Sequence, residues 1–200
     1  MSENDLRKVK TLESIDNSLL NNLNSLTFTK ITVDSLCKDA RINRSTFYKY
    51  YKDKYDLLDK YIDRILNEFS SNVKTEFICA APSNVECSVY HANFKKLLII
   101  MNKNKSIYKI LWTASIDRHL YNEMTSIVQN NIVQDLNANF KLDSNKKDYA
   151  SLFASIFASN LMTVVNWWFL NDDHISIDEV VNLMGKITSE GSFMTLRKML

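Results

Sequence analysis

Apolar residues recur every three or four positions along most of this chain, the spacing of helices with one buried face. Leu12, Ile15, Leu19, Leu20 and Leu23 place a first helix over about Asp5 to Asn24. Thr27 to Ile31 breaks the pattern. Thr32 then supplies an N-cap for a short helix ending near Ala40, and Asn43 caps a second short helix over Arg44 to Tyr50. Asp53 opens a longer helix from Lys54 to about Ile78, with Asp56 adding negative charge where the helix dipole favours it. Its apolar stripe is Tyr55, Leu58, Tyr61, Ile62, Ile65, Leu66 and Phe69.

Ala80-Ala81-Pro82 interrupts the chain, because proline disfavours helical geometry in the residue before it. Ser83 with Glu86 reads as a capping box for a helix over Val85 to Asn102. Later helices are predicted over Lys105 to Thr113, Ser115 to Phe140, and Ser144 or Asn145 to Leu170. A second capping box, Ser176 with Glu179, opens a last helix reaching at least Thr188. The 200 residues include only two Gly and one Pro. Strand-and-turn folds need both at their turns, so the expectation is an all-α protein.

The net charge of +2 carries meaning only once it is located. Thr29 to Lys54 holds seven basic and three acidic residues, whereas Tyr61 to Leu200 holds fourteen of each. The excess positive charge therefore sits in the N-terminal quarter, where a polyanion would attach. A charged, solvated face is the other reading of the same charges.

The first turn of the Arg44 helix makes the polyanion specific. Recognition helices read base edges with their N-terminal residues, here Asn43, Arg44, Ser45 and Thr46. Arg44 can make a bidentate contact to guanine, and Thr46 can donate to phosphate or touch a thymine methyl. Phe47 points the other way and should anchor the helix to Val33, Leu36 and Ala40. Tyr48, Lys49 and Lys52 extend a phosphate-reaching margin. Lys54 and Thr32 each begin a helix, where free amides and the dipole favour an anion.

The run resembles the helix-turn-helix of the TetR/AcrR family of transcriptional regulators. The matching residues are Thr32-Val33, Ala40-Arg41-Ile42-Asn43, Thr46-Phe47-Tyr48, Tyr51 and Lys54. The wording of this run, with Trp167-Trp168 near the end of a long helix, is closest to the branch containing dihydroxyacetone-kinase operon regulators. Arg41 stands where that family usually has glycine. The expectation is that the turn adjusts and that Arg41 adds a phosphate contact.

The resemblance implies a helix-turn-helix domain over residues 1–53. It also implies a helical effector-binding and dimerisation domain over residues 54–200, entered through the long helix 54–78. Double-stranded DNA, a small-molecule effector and a second copy of the chain are the implied partners, with no cofactor and no enzymatic activity. The residues themselves agree in part. Ala150, Ala154 and Ala158 lie four apart, with Ser151, Ser155 and Ser159 beside them, and small residues at that spacing let another helix approach; Phe153, Phe157, Leu161, Val164 and Trp168 form a second stripe. With Val180 and Met184 of the last helix they form the expected dimer interface; a monomeric core is the alternative. Tyr90, His91, Phe94, Met101, Tyr108, Trp112, Tyr121 and Met124 are the candidate effector surface, although aromatic and Met stripes at helical spacing are more often plain core.

Other chemistries find little in the chain. Its three histidines lack metal-ligand spacing, and it has no Gly-rich phosphate loop and no nucleophile elbow. Cys37 falls on a core face; Cys79 and Cys87 are buried hydrophobes or a redox pair. Tyr149 to Asn171 has no charged residue and bilayer length, but its Ser and Asn residues fit a buried bundle helix better. The N-terminus lacks the apolar run of a signal peptide, so a cytoplasmic protein is expected. A ligand-responsive repressor binding a palindromic operator is the leading reading. A constitutive DNA binder and a helical interaction module are its rivals.

Overall fold

The computed structural model describes residues 3–75, 87–171 and 174–191. Among them are nine α-helices, one 3-10 turn and no strand. The helices are α1 (Glu3–Ser25), α2 (Val33–Asp39), α3 (Arg44–Tyr48), α4 (Lys54–Asn72), α5 (Cys87–Lys103), α6 (Lys105–Thr113), α7 (Leu120–Asn139), α8 (Ser144–Asn171) and α9 (Ile177–Glu190). The 3-10 turn, Phe28–Lys30, sits where the apolar period fails. The Pro82 break, the Ser83–Glu86 box, Cys79 and the side chain of Cys87 lie outside the described residues.

Two elements depart from the sequence pattern. α4 ends at Asn72 rather than near Ile78, and Val73 and Thr75 are buried outside the helix. Asn72 Nδ2 donates back to the Glu68 carbonyl, and the Thr75 hydroxyl donates to Asp135, drawing the chain off the helix axis. α7 starts at Leu120 rather than Ser115. The intervening segment buries Ile116 and sends Arg118 to the Asp63 carboxylate of α4, 2.8 Å away. The second capping box forms as read: Glu179 N donates to Ser176 Oγ, and Glu179 Oε2 accepts from Ser176 N. These hydrogen bonds to Ser176, side chain first and backbone second, hold the Glu179 carboxyl below its ordinary range.

The chain divides into two compact units. The first comprises residues 1–67 and 106–120, so most of α4, together with α6, belongs with the N-terminal helices. Its core holds Ile15, Leu19, Leu36, Phe47, Leu57 and Ile62, all fully enclosed. α2 packs on both α1 and α3. Arg64 of α4 ties to Asp16 of α1 at 2.6 Å, and Ser18 donates to the Leu36 carbonyl of α2. The second unit comprises residues 68–105 and 121–200. There α9 packs on α5 and α8. Gly185 of α9 lies against His91 of α5, and a Cβ on it would overlap the His91 ring unless that ring moved.

α8 is long and apolar enough to cross a membrane by length and composition alone. Within its unit it buries Ala154, Ala158, Leu161, Met162, Val165, Trp168 and Phe169 along one side. The Trp168 indole N–H is satisfied by the Ile175 carbonyl at 2.9 Å.

Candidate DNA interface

Three local structures hold α3 on the surface of the first unit. The first is the N-cap of α2. Thr32 Oγ1 accepts from Ser35 N, and Ser35 Oγ accepts from Thr32 N. The Thr32 hydroxyl keeps its own proton to donate outward.

The second is the turn from α2 to α3. Ile42 N donates to the Cys37 carbonyl at 3.0 Å and Arg41 N to the Lys38 carbonyl at 3.2 Å. That pair of bonds is a Schellman motif, whose residue after the C-cap must be left-handed. Arg41 occupies this position at φ 54°, the described non-glycine residue with positive φ. The turn therefore does not adjust to the missing glycine, contrary to expectation. The helix end fixes the geometry and Arg41 carries the strain.

The third is the start of α4. Asp53 Oδ1 accepts from the amides of Tyr55 and Asp56, so Asp53 is the N-cap. Asp56 reaches back to the amide of Lys52 and also accepts from Lys60 Nζ. The Lys60 hydrogen bond, then the Lys52 amide, hold the Asp56 carboxyl below its ordinary range.

On this frame Phe47 is fully buried, while Arg41, Asn43, Arg44, Ser45, Tyr48, Lys49 and Lys52 are exposed or partly so and Thr46 lies at the rim of the same surface. The sequence-derived residues around α3 thus reach the surface of the first unit, apart from the buried Phe47 anchor. Asn43 is the N-cap residue by backbone geometry, but its side chain makes no capping bond and stays available. Arg44 is 59% exposed and pairs with Asp34 of α2 at 3.1 Å. Its second nitrogen donates to the Tyr48 hydroxyl at 3.3 Å. That hydrogen bond, with the Asp34 charge, raises the guanidinium pKa. Nothing in the sequence pattern marks Asp34, yet it is the acid that holds the principal base-reading candidate.

Lys54 stands apart. Its ammonium donates to the carbonyls of Phe28, Thr29 and Ile31 at 2.9, 3.2 and 2.8 Å. It also lies 4.8 Å from the centre of the Phe28 ring. An ammonium has three protons, and all three are taken. Lys54 thus ties the 3-10 turn to the start of α4, and its side chain is not offered to phosphate.

The candidate effector residues are divided between the two units. Tyr108 and Trp112 belong to the first unit, and the other six to the second. Tyr90, Phe94, Met101, Tyr108 and Met124 are core. Burial drives the Tyr90 phenol well above its ordinary pKa, offset only partly by a hydrogen bond with Thr188. Tyr90 and Phe94 line a cavity of only about 20 Å³, room for about one water. A larger apolar groove of about 510 Å³ lies between α7, α8 and α9, walled by Ile132, Leu136, Phe153, Phe157, Met184 and Ile187. None of the eight candidates lines it.

The expected dimer surface also needs correction. Ala154, Ala158, Leu161, Val180 and Met184 are 0–5% exposed within the subunit, and Ala150 and Phe157 are half-buried. The face of α8 that does reach the surface carries Tyr149, Leu152, Phe153, Ile156, Trp167 and Leu170, with Phe153 66% and Leu170 70% exposed. A helix apolar on every side has no polar stripe to show which face turns inward.

Residues 89–190 match a family model (TetR_C_8) described as a transcriptional regulator C-terminal region. A search of curated protein sequences gave no significant match. Among solved structures the chain is similar to the dihydroxyacetone kinase operon activator DhaS, with 14% identity, TM-score 0.54, and coverage of 94% of this chain and 95% of that one. It is also similar to the fatty acid degradation regulator FadR from Bacillus halodurans, with 15% identity, TM-score 0.58, and coverage of 90% and 95%. A third similar structure is the transcriptional regulator FadR from Bacillus subtilis in complex with stearoyl-CoA, with 12% identity, TM-score 0.59, and coverage of 92% and 99%. At these identities the likeness concerns the fold. The family model covers just over half of the chain, and with it the protein belongs to the TetR family of transcriptional regulators.

Proposed function

We propose that this protein is a cytoplasmic, homodimeric repressor that binds a palindromic operator and is released by an apolar small molecule. The observation that carries the reading is the exposed face of α3, with Arg44 at its first turn and Phe47 anchoring it from beneath. Arg44 would exchange Asp34 and Tyr48 for a base edge, while Arg41, Tyr48, Lys49 and Lys52 would meet phosphates on either side. Thr32 would donate to the backbone across the groove.

The apolar stripe of α8 supports pairing with a second copy. A soluble protein rarely leaves such a run of large apolar side chains uncovered. A two-fold dimer would bring like stripes together and present two α3 helices to successive major grooves. The groove of about 510 Å³ shares Phe153 and Ile156 with that stripe. Its size suits a small organic ligand, and its walls favour an apolar one. A similar regulator was solved with stearoyl-CoA, which makes acyl compounds the first class to try. Such a ligand would act only through unequal affinity for the DNA-bound and free arrangements.

The test is selection of bound duplexes from a random-sequence library. The reading expects an inverted repeat with half-site centres one helical turn apart, about 34–36 Å. Enrichment of a single half-site, or of nothing, contradicts it. Titrating acyl compounds against the selected complex then tests ligand release.

A further inference from the structure

The N-terminal half of α1 carries Arg7, Lys8 and Lys10, which precede the α2–α3 pair and lie exposed, outside the core. Two open grooves run along this end of α1. One, of about 800 Å³, separates Arg7 and Lys10 from Arg41 and Ile42 in the α2–α3 turn. The other, of about 560 Å³, separates Arg7 and Lys8 from Thr46 and Lys49 of α3. Arg7 lines both grooves, so this end of α1 is a ridge beside the recognition helix rather than a remote face.

Carboxylates hold several cations of this unit: Arg64 has Asp16, Lys60 has Asp56, and Arg118 has Asp63. Arg7, Lys8 and Lys10 have no such partner among the described residues and are all exposed. The neighbouring hydroxyls are occupied. Thr11 donates to the Arg7 carbonyl and Ser14 to the Lys10 carbonyl. Asp5 also lines the second groove, so the three cations outnumber one carboxylate in grooves open on the side of Arg41 and Lys49.

We propose that this ridge is a second DNA contact, in which Arg7, Lys8 and Lys10 hold the sugar–phosphate backbone flanking the bases that α3 reads. The inference rests on the DNA-binding reading above. Phosphate contacts fix register and add affinity without sequence preference. The ridge thus lengthens the footprint of each subunit beyond its half-site.

The test removes the charges without disturbing the helix. The R7Q/K8Q/K10Q variant keeps three good helix formers at exposed positions. A K141Q/K146Q/K147Q variant removes equal charge from the other unit. Binding to the library-selected duplex and to a random duplex is measured against salt. The first variant is expected to lower the slope of log affinity against log salt by about 0.9 for each phosphate no longer held, on both duplexes alike. Base preference should be unchanged, and hydroxyl-radical protection outside the half-sites should disappear. The second variant should keep the slope.

An unchanged slope and footprint in the first variant, while the unaltered protein binds its duplex, overturns this inference alone. Loss of binding to anionic lipid vesicles in place of a slope change assigns the ridge to a membrane and also overturns it. Failure of the unaltered chain to bind any duplex overturns both readings.

Discussion

Replacing Arg41 by glycine should move stability and DNA affinity in opposite directions. Arg41 sits at φ 54° because two helix-ending hydrogen bonds, to the carbonyls of Lys38 and Cys37, demand a left-handed residue there. A side chain in that region costs about 1–2 kcal/mol. Glycine removes this cost but gives the unfolded chain more freedom, a penalty of about 0.4–1 kcal/mol. The balance is a gain of about 0.5–1 kcal/mol, or a rise in Tm of about 2–4 °C per kcal/mol for a chain of this size. The same change deletes an exposed cation from the interface. Releasing one phosphate lowers the salt slope by about 0.9 and weakens binding on all sequences.

Arg41→Ala is the control, since it removes the cation but keeps a Cβ at positive φ. Urea denaturation followed by circular dichroism, with fluorescence anisotropy on a labelled duplex, separates the two effects. Glycine should exceed alanine in stability by roughly 1 kcal/mol, while both variants weaken DNA binding equally. If glycine is no more stable than alanine, the left-handed strain is not there. If both variants keep full affinity and slope, Arg41 touches no phosphate.

Lys54→Met should destabilise the first unit by about 1.5–3 kcal/mol, since three carbonyls, two of them in partly buried bonds, lose a charged donor. Its salt slope with DNA should hold; a slope that falls by about 0.9 with stability intact would make Lys54 a phosphate contact after all. Asp34→Asn frees Arg44 and removes a negative charge from the DNA face, so affinity for random duplex should rise several-fold; equal or weaker binding argues that Asp34 positions Arg44 productively. Phe153→Glu, on the exposed stripe, should convert a dimer to a folded monomer in sedimentation, whereas Ala154→Glu, at a site 1% exposed, should unfold the subunit. A Phe153→Glu protein that sediments unchanged removes α8 from the interface.

Much of the first unit is legible in its sequence because local chemistry decides it. The Thr32 cap, the Asp53 cap and the inward Phe47 each depend on neighbours within a few positions. Arg41 misleads because its residue type argues against a left-handed turn, while the bonds that enforce one come from the helix end before it. Lys54 misleads for a tertiary reason. A lysine opening a helix reads as an anion site, and only the fold brings three carbonyls of residues 28–31 to its ammonium. The ridge on α1 is hidden because three cations on a solvated helix look ordinary until a groove places them beside α3. In the second unit, α8 is apolar all round, so spacing identifies the helix but not its inward face. The aromatic and Met candidates, five of which are core, meet the same limit, because burial and ligand binding favour the same residue types.

The most direct measurement is the affinity of the unaltered protein and of Arg44→Ala for the selected operator, for its single-base variants and for random duplex at one salt concentration. Arg44→Ala should flatten discrimination at one base pair of each half-site, by about 1–3 kcal/mol, and leave random-duplex binding nearly as it was. Equal losses on operator and random DNA would show that Arg44 reads no base and that α3 does not lie in the major groove as described.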